Sequence, residues 1–302
     1  MELYNLTDKK KYEVNIPSGT GEFYSTCPAC SHNRKPINQK KRCFSWNRTK
    51  SIGHCYHCGN SFVEFKEREQ LNTSTPKPLN PSTPKPINYI NPKYLKLSLG
   101  LASNFGTFLK SIFDEEELKQ ILEDYQLGMT KDNSVIYWYI DKENRIRSGK
   151  IMQYNPKTGK RVKSGVSWVH SQLKKQGMIS EDWKFTRCLF GEHLLTKYPD
   201  RNVFLVEGEK TAIICSIYFP DSIWLATGGS EMLSENVCHS LRGRKVLVIA
   251  DSDKIVEWEG KIKDINQNLN LNLKPYEKFN MLLSKEQKEK GWDLADYFLM
   301  VT

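Results

Sequence analysis

The stretches VFLVEGEK (203–210), IWLATGG (223–229) and KVLVIADSD (245–253) decide the fold that we expect for this chain. Each begins as a short apolar run typical of a buried strand, and each ends in glycine or acidic residues. The segments between them have the pattern of helices. Because alternating strands and helices predict a small parallel sheet, residues 203–302 are expected to form an α/β domain.

Acidic residues directly follow two of these strands. Glu207 comes after the first strand, and Asp251 and Asp253 come after the third. Functional groups collect outside the carboxyl ends of the strands in such sheets, so the three carboxylates are expected to converge. Oxygen ligands suit Mg²⁺, which binds few carboxylates and leaves room for substrate phosphates. In the simpler interpretation, Glu207 and Asp251 only cap helices.

Two C-x2-C pairs near the N-terminus have the spacing of a metal site. Cys27 and Cys30 form the first pair, and Cys55 and Cys58 follow after 24 residues. Each pair brings two thiolates to one ion, and two pairs complete a tetrahedral Zn²⁺ shell. The alternative is four buried free cysteines. The residues that could replace one cysteine ligand are Cys43, His32, His54 and His57.

The segment between the two cysteine pairs mixes basic residues with Phe44 and Trp46 on a predicted strand. This mixture allows two interpretations. Either the rings stack on bases of a single-stranded template while the neighbouring charges bind phosphates, or the rings form the small core of the zinc module.

The charge of the chain predicts a polyanionic partner. The 302 residues include 45 basic and 35 acidic side chains, a net charge of +10. Residues 1–70 carry 12 basic and 7 acidic side chains, residues 71–202 carry 21 and 13, and residues 203–302 carry 12 and 15. The basic surplus therefore lies in the first two thirds, where we expect nucleic acid, and the acidic last third is suited to a metal ion.

No membrane or secretory segment is expected. The first residues, MELYNLTDKK, are charged where a signal peptide needs an apolar stretch. No apolar run approaches the roughly 20 residues of a transmembrane helix. The eight cysteines are consequently expected to stay reduced in a cytoplasmic protein.

A proline-rich segment over 71–92 predicts an extended linker, because it contains six of the 13 prolines. Residues 93–202 follow as a basic α+β segment. Two short helices are expected within 103–128, the second capped by Asp114 and ended by Gly128. Strands joined by turns come next.

The strand region from 145 to 175 holds nine basic and no acidic residues. Such a bias predicts a phosphate-binding groove rather than an ordinary solvated face. Lys150, Met152 and Tyr154 would share one face of a strand.

Taken together, VEGEK, ATGG and DSD resemble the Toprim domain of topoisomerases and primases. The order of the other segments narrows the resemblance to bacterial DnaG-type primases and, more closely, to the primase half of phage helicase-primases. The segments that carry it are the cysteine pairs, LKSIFDEEELKQILEDYQLG (109–128), VIYWYIDKENRIRSGKIMQYN (135–155) and CLFGEH (188–193).

The resemblance implies a multidomain α+β and α/β architecture. It comprises a zinc-ribbon template-binding domain over 1–70, the linker over 71–92, the basic N-terminal part of a primase core over 93–202 and a Toprim domain over 203–302. It also implies synthesis of short RNA primers from NTPs on single-stranded DNA, with in-line attack by the primer 3′-hydroxyl.

The resemblance also implies roles for individual residues. Mg²⁺ or Mn²⁺ would be held by Glu207, Asp251 and Asp253, with Zn²⁺ structural. Glu209 matches a second acidic position of the same motif. The residues expected to contact nucleotide or template are Lys150, Lys160, Arg161 and Lys163. GWDLAD (291–296) resembles a closing acidic motif in which either Asp293 or Asp296 aligns. The chain departs from the pattern at Lys210 and in the Lys-Ile-Val that follows Asp253.

The helicase partner is expected to be a separate protein. Gly159-Lys160 is followed by Arg161, so the phosphate-binding loop of a helicase motor is not matched. The likeness suggests a replication protein of a phage, plasmid or other mobile element. Two other functions stay open: a recombination-mediator-like protein that binds single strands without catalysis, and a Toprim nuclease.

Overall fold

The computed structural model describes residues 1–65, 87–162 and 165–301. The chain divides into two compact units, Met1–Ser82 (unit 1) and Thr83–Thr302 (unit 2). Residues 71–86 of the predicted linker (71–92) and the predicted site residue Lys163 lie outside the described residues. Where the chain is described, no helix combines the length and the apolar character needed to cross a membrane.

Unit 1 contains an antiparallel sheet of six short strands in the order β2-β1-β6-β5-β4-β3. These strands are β1 Glu2–Asn5, β2 Lys11–Glu13, β3 Glu22–Ser25, β4 Phe44–Asn47, β5 Ile52–Cys55 and β6 Ser61–Glu64. Successive side chains of a strand face opposite sides, so one face of this sheet packs on the cysteines and the other is open.

Phe44 and Trp46 lie on the packed face and form the core of unit 1. Both rings are fully buried, together with Leu3 and Phe62. Gly53 stands opposite them because a Cβ there would lie 2.7 Å from both rings. The interpretation that these two rings stack on template bases is therefore wrong, and the interpretation that they form the core is correct.

The first sheet of unit 2 is antiparallel, with strands in the order β10-β9-β8-β7. Its strands are β7 Gly128–Met129, β8 Val135–Ile140, β9 Ile146–Met152 and β10 Ser167–Trp168. The sheet is covered on both faces, as β8 shows. Tyr137 and Tyr139 belong to the large core shared with the next sheet, whereas Trp138 belongs to a second cluster with Ile90 and Val169.

The second sheet of unit 2 is parallel, as predicted, with strands in the order β12-β11-β13-β14. Its strands are β11 Asn202–Val206, β12 Ser222–Ala226, β13 Lys245–Val248 and β14 Asn272–Pro275. The centre of this sheet is made of buried branched and aliphatic side chains, which suits strands covered on both faces.

Eleven helices are described in unit 2. They are α1 Pro92–Ser98, α2 Asn104–Lys110, α3 Glu115–Tyr125, α4 Val169–Lys175, α5 Leu194–Lys197, α6 Glu209–Tyr218, α7 Glu235–Cys238, α8 Ile255–Leu269, α9 Lys278–Leu282, α10 Lys285–Glu289 and α11 Leu294–Val301. Helices α2 and α3 are the predicted pair, and Asp114 caps α3 through a capping box with Glu117. The predicted stop at Gly128 is wrong. Gln126 adopts the left-handed conformation (φ 49°) and ends the helix, while Gly128 starts β7.

Candidate functional site

A cleft of ≈ 260 Å³ opens at the carboxyl edge of the parallel sheet. Residues from β9, from the turn after β11, from the loop after β12 and from the segment before α11 line it. The sequence-predicted residues that reach it are Glu207, Glu209, Lys150 and Arg161, and Asp293 joins them. The topology explains this convergence, because the carboxyl ends of neighbouring parallel strands meet at one edge.

Glu207 and Asp251 are half-buried carboxylates that lie close to other acidic groups. The Oε2 atom of Glu207 is buried and accepts no hydrogen bond from any residue the structure describes. Burial, aided by repulsion from Asp253, raises the pKa of Glu207. Burial together with repulsion from Asp293, Glu207 and Asp253 raises the pKa of Asp251 to about 9. An acidic cluster of this kind is stabilised by a bound cation.

The structure separates the roles of the two closing aspartates. Thr211 Oγ1 donates to Asp293 Oδ2 at 2.7 Å, and the backbone N–H of Asp296 donates to Asp293 Oδ1 at 2.8 Å. Asp296 instead pairs with Lys210 at 3.3 Å. Asp293 therefore points into the cleft, and Asp296 lies beside it as the partner of a lysine.

Asp253 differs from the other carboxylates in being exposed. It still acts on the cluster, because its charge contributes to the raised pKa values of Glu207 and Asp251. The backbone N–H of Ser252 donates to the carbonyl of Trp292 at 3.1 Å. This hydrogen bond joins the loop after β13 to the segment that carries Asp293.

Lys150 has a partner inside the protein. Its Nζ lies 2.9 Å from Glu209 Oε1 and donates to the carbonyl of Gly228 at 2.9 Å. Tyr139 Oη donates to the same Oε1 at 2.6 Å. Lys150 and Glu209 are 8% and 3% exposed. Their pairing holds the loop after β12, because Lys150 also donates to the Gly228 carbonyl. Position 228 (φ 84°) requires glycine, since a Cβ there would lie 2.0 Å from Tyr139 Oη.

We expect Lys150→Met to destabilise unit 2 by about 3–5 kcal/mol, because it leaves the Glu209 carboxylate buried without its partner. Urea denaturation measures this change. The matched control is Lys160→Met, which removes an exposed lysine a few positions along. Adding Glu209→Gln to Lys150→Met should recover part of the loss. Equal, small losses for Lys150→Met and Lys160→Met would contradict the pairing.

Three of the basic residues that the structure describes in the strand region have acidic partners. Arg145 and Arg147 pair with the fully buried Asp141 at 3.1 Å and 2.8 Å, and Lys150 pairs with Glu209. The acidic partners, Asp141 and Glu209, lie outside residues 145–175. The composition of that segment alone therefore could not reveal these ion pairs. Lys160 and Arg161 are exposed and stay available to an anionic ligand.

The four predicted cysteines of unit 1 come together. Cys27 Sγ lies 3.8 Å from Cys58 Sγ, and Cys30 Sγ lies 3.8 Å from Cys55 Sγ. A tetrahedral ion with Zn–S bonds of about 2.3 Å separates its sulfur ligands by about 3.8 Å. The thiols therefore fit a zinc ion. Within the described ranges, this is the one group in which three or more such ligand atoms all lie within 4.8 Å of one another.

Two other predicted ligand candidates lie at the margin of this cluster. Cys43 Sγ is 3.7 Å from Cys55 Sγ, and His57 Nδ1 is 3.6 Å from Cys30 Sγ. The guanidinium of Arg34 donates to the sulfurs of Cys30 and Cys43, both at 2.7 Å. Burial opposes ionisation of Cys30, but these donors and the neighbouring thiols lower its pKa, which favours the metal-binding thiolate.

A family model described as a domain of unknown function (DUF6371) matches residues 103–252. This range includes Glu207, Glu209 and Asp251 but neither cysteine pair. No curated protein matches the sequence.

Primase structures are among the solved structures similar to the chain. The primase fragment of the bacteriophage T7 primase-helicase is 13% identical over 84% of this chain and 88% of its own length, with a TM-score of 0.40. The Aquifex aeolicus primase, with zinc-binding and RNA polymerase domains, is 12% identical over 93% and 81%, at 0.32. A DnaG primase catalytic domain bound to single-stranded DNA is 10% identical over 54% and 60%, at 0.35. The sequence identities and the TM-scores of all three are low.

Proposed function

We propose that this protein is a DNA primase that joins nucleotides into short RNA primers on single-stranded DNA, using a divalent cation in the acidic cleft. The observation that carries the proposal is the buried Oε2 of Glu207, which has no hydrogen-bond partner among the described residues. Asp293 lines the same cleft, and Asp251 lies close enough for the charges of Glu207 and Asp293 to raise its pKa. Buried polar atoms are normally satisfied, and an ion-free carboxylate cluster is electrostatically unfavourable.

The donor set fits Mg²⁺ or Mn²⁺. All the ligands are carboxylate oxygens, which hard cations prefer, and among the described residues no three of them all lie within 4.8 Å of one another, as the four cysteine thiols do. This spacing suits an ion that takes one or two carboxylates and completes its shell with waters and substrate phosphates. Glu207 and Asp251 would hold the cation, with Asp293 and Asp253 near it. Bound there, it would neutralise the triphosphate and acidify the primer 3′-hydroxyl.

The other cleft residues would position the substrate. The Lys150–Glu209 pair holds the loop after β12 at the mouth of the cleft. Arg161 lines the cleft and is exposed, so it is placed to bind the phosphates of an incoming NTP. Lys150 acts in this scheme as a positioning residue, because its three donor directions already have partners in the protein.

The open face of the unit 1 sheet would contact the template. A depression of ≈ 400 Å³ on this face is lined by Ser45, Asn47, His54 and Ser61, with Lys50 at its side. These hydroxyl, amide and imidazole groups can hydrogen-bond the exposed edges of unpaired bases, and the lysine can bind a phosphate. This face replaces Phe44 and Trp46 as the proposed template contact.

Mg²⁺ should raise the melting temperature of unit 2 in the wild-type protein but not in Asp251→Asn. At a cation concentration ten times its Kd the stabilisation is about 1.4 kcal/mol, or about 3 °C for a unit of this size. The shift should grow as the pH rises toward the Asp251 pKa of about 9, because the protonated carboxyl does not bind the ion. Calorimetry with and without Mg²⁺ measures it, and an equal shift in both proteins would contradict the assigned ligands.

Incorporation of labelled NTPs on mixed-sequence single-stranded DNA tests the function directly. Short products that require Mg²⁺ would support the primase. Metal-dependent cleavage of the template without synthesis would establish the nuclease instead. Binding of single strands without either reaction would leave the non-catalytic binding protein.

A further inference from the structure

Five ring-bearing side chains of unit 2 form a continuous ladder next to the acidic cleft. The steps between neighbouring ring centroids are 5.6 Å, 4.8 Å, 5.0 Å and 5.1 Å, running from Tyr139 through Trp168, Phe185 and His170 to Trp183. The residues come from β8, from β10, from the first turn of α4 and from the segment after it. Trp168 and His170 are also in contact, at 5.8 Å, so the ladder is compact at its centre.

The ladder is only partly used as core. Tyr139 and Trp183 are buried, whereas Trp168, His170 and Phe185 are each half-exposed. His170 is stacked on Trp183 and on Phe185 at interplanar angles of 20° and 27°, and its Nδ1 is hydrogen-bonded to Ser148 Oγ at 2.7 Å. Burial, aided by Lys174 and Arg187, lowers the pKa of His170. His170 is therefore stacked on two rings, and Trp168, whose ring contacts are tilted by 39° to 49°, is partly exposed beside it.

Arg187 lies against the inner end of the ladder. The centre of its guanidinium is 5.0 Å from the ring of Trp168, 5.4 Å from Phe185 and 5.6 Å from Tyr139. Its Nη1 is buried and has no hydrogen-bond partner among the described residues. A Cβ added at Gly228 would lie 3.1 Å from this atom, so the guanidinium stands at the loop that borders the cleft.

A buried guanidinium N–H without an acceptor requires explanation, because such donors are normally paired. The aromatic faces hold the guanidinium flat and favour its charge, but they do not accept its edge-on hydrogen bonds. The missing acceptor must be anionic or strongly polar and must approach from the cleft side. A phosphate meets this requirement.

We propose that Arg187 and the ladder bind single-stranded nucleic acid, with Arg187 on a backbone phosphate and the partly exposed ring of Trp168 under a base. Stacking on rings beside a cationic contact is how proteins hold unpaired strands without reading their sequence. The assignment rests on the proposed function, since it gives the path of the strand that leaves the acidic cleft. A duplex would not bind in this way, because its bases are already stacked on one another.

The test measures the affinity of the full-length protein for a fluorescein-labelled oligothymidine, by anisotropy, without Mg²⁺ or NTPs. Arg187→Met should bind roughly 10-fold more weakly, as expected for one lost contact of this kind. The slope of log Kobs against log salt should also fall by about 0.7, the value for one phosphate on a single strand. Unit 1 is unchanged in every variant, so its contribution to binding is constant.

Arg201→Met is the matched control. The Arg201 guanidinium also lies over a ring, 3.7 Å from the centroid of Tyr198, and donates to the carbonyl of Pro220. It stands before β11, at the end of that strand opposite to Glu207. We expect this variant to keep the wild-type affinity and salt slope.

A second readout reports on stacking itself. An oligonucleotide that contains 2-aminopurine loses fluorescence when the base stacks on a ring, and Trp168→Leu should abolish part of this quenching. Thermal melting checks that each variant folds. If Arg187→Met is unfolded, Arg187→Lys replaces it in the binding measurement. This variant keeps the charge, so it should keep the salt slope while still binding the oligonucleotide more weakly.

The outcomes separate this inference from the proposed function. Weaker strand binding by Arg187→Met supports the inference even if the wild type makes no primers, a result that would instead overturn the proposed function. Unchanged strand affinity, salt slope and quenching would overturn the inference, even in an active primase. Weaker binding of a free NTP with unchanged strand affinity would also overturn it, because Arg187 would then bind the nucleotide.

Discussion

Asp251→Asn is expected to abolish primer synthesis while leaving the protein folded. The substitution removes one of the two carboxylates that we assign to the catalytic cation, with almost no change in shape. Loss of several kcal/mol of transition-state stabilisation by the metal corresponds to a rate lower by roughly 10³-fold. Incorporation of labelled NTPs on single-stranded DNA with Mg²⁺ measures the change.

The stability of the same variant distinguishes a functional carboxylate from a structural one. Because burial and neighbouring carboxylates raise the pKa of Asp251 to about 9, the metal-free carboxyl is protonated near neutral pH and the neutral amide resembles it in charge and shape. Above that pKa the amide also removes repulsion. The melting temperature without metal should therefore stay the same or rise. Asp264→Asn, an exposed aspartate on α8, is the control and should keep full activity. An active Asp251→Asn enzyme would refute the metal assignment.

Removal of zinc, or Cys55→Ser, is expected to unfold unit 1 and leave unit 2 intact. The core of unit 1 contains few large apolar side chains, and two of its buried residues are the cysteines Cys27 and Cys55. Structural zinc contributes roughly 10–16 kcal/mol of binding free energy in small modules, which exceeds the stability of most domains of this size. Zinc content and limited proteolysis, read for each unit separately, measure the effect.

Cys43→Ser is the matched control for the zinc site. Its sulfur is only 3.7 Å from that of Cys55, but it does not belong to the group of four thiols. This variant should keep one zinc per chain and a folded unit 1. Loss of zinc in Cys43→Ser and its retention in Cys58→Ser would show that Cys43 is the fourth ligand.

Local sequence patterns predicted the framework of unit 2 well. The apolar runs at the three decisive stretches are strands β11, β12 and β13, and their parallel pairing follows from the helices between them. The capping box of α3 was equally readable, because Asp114 and Glu117 are three residues apart. These features depend on neighbouring residues, so their physical causes lie within a few positions of sequence.

Side-chain partners that are distant in sequence were not predictable in the same way. Lys150 and Glu209 are 59 residues apart, and nothing near either residue indicates that they neutralise each other. No sequence motif includes Arg187, because a single arginine has no characteristic spacing to other residues. The sequence does contain a signal for the aromatic cluster. Four of its rings lie within 168–185, at Trp168, His170, Trp183 and Phe185.

The sequence by itself determined the elements, the cysteine spacing and the position of acidic residues after strands, because hydrophobic periodicity and ligand spacing act over short distances. Only the tertiary structure decided which charged side chains are available to bind a ligand. It buried Phe44 and Trp46, paired three of the basic residues and placed Asp293 at the cleft. It also left Glu207 Oε2 and Arg187 Nη1 without a hydrogen-bond partner in the part of the chain that the structure describes. Electrostatic availability depends on burial and on partners brought together by folding, which no local pattern contains.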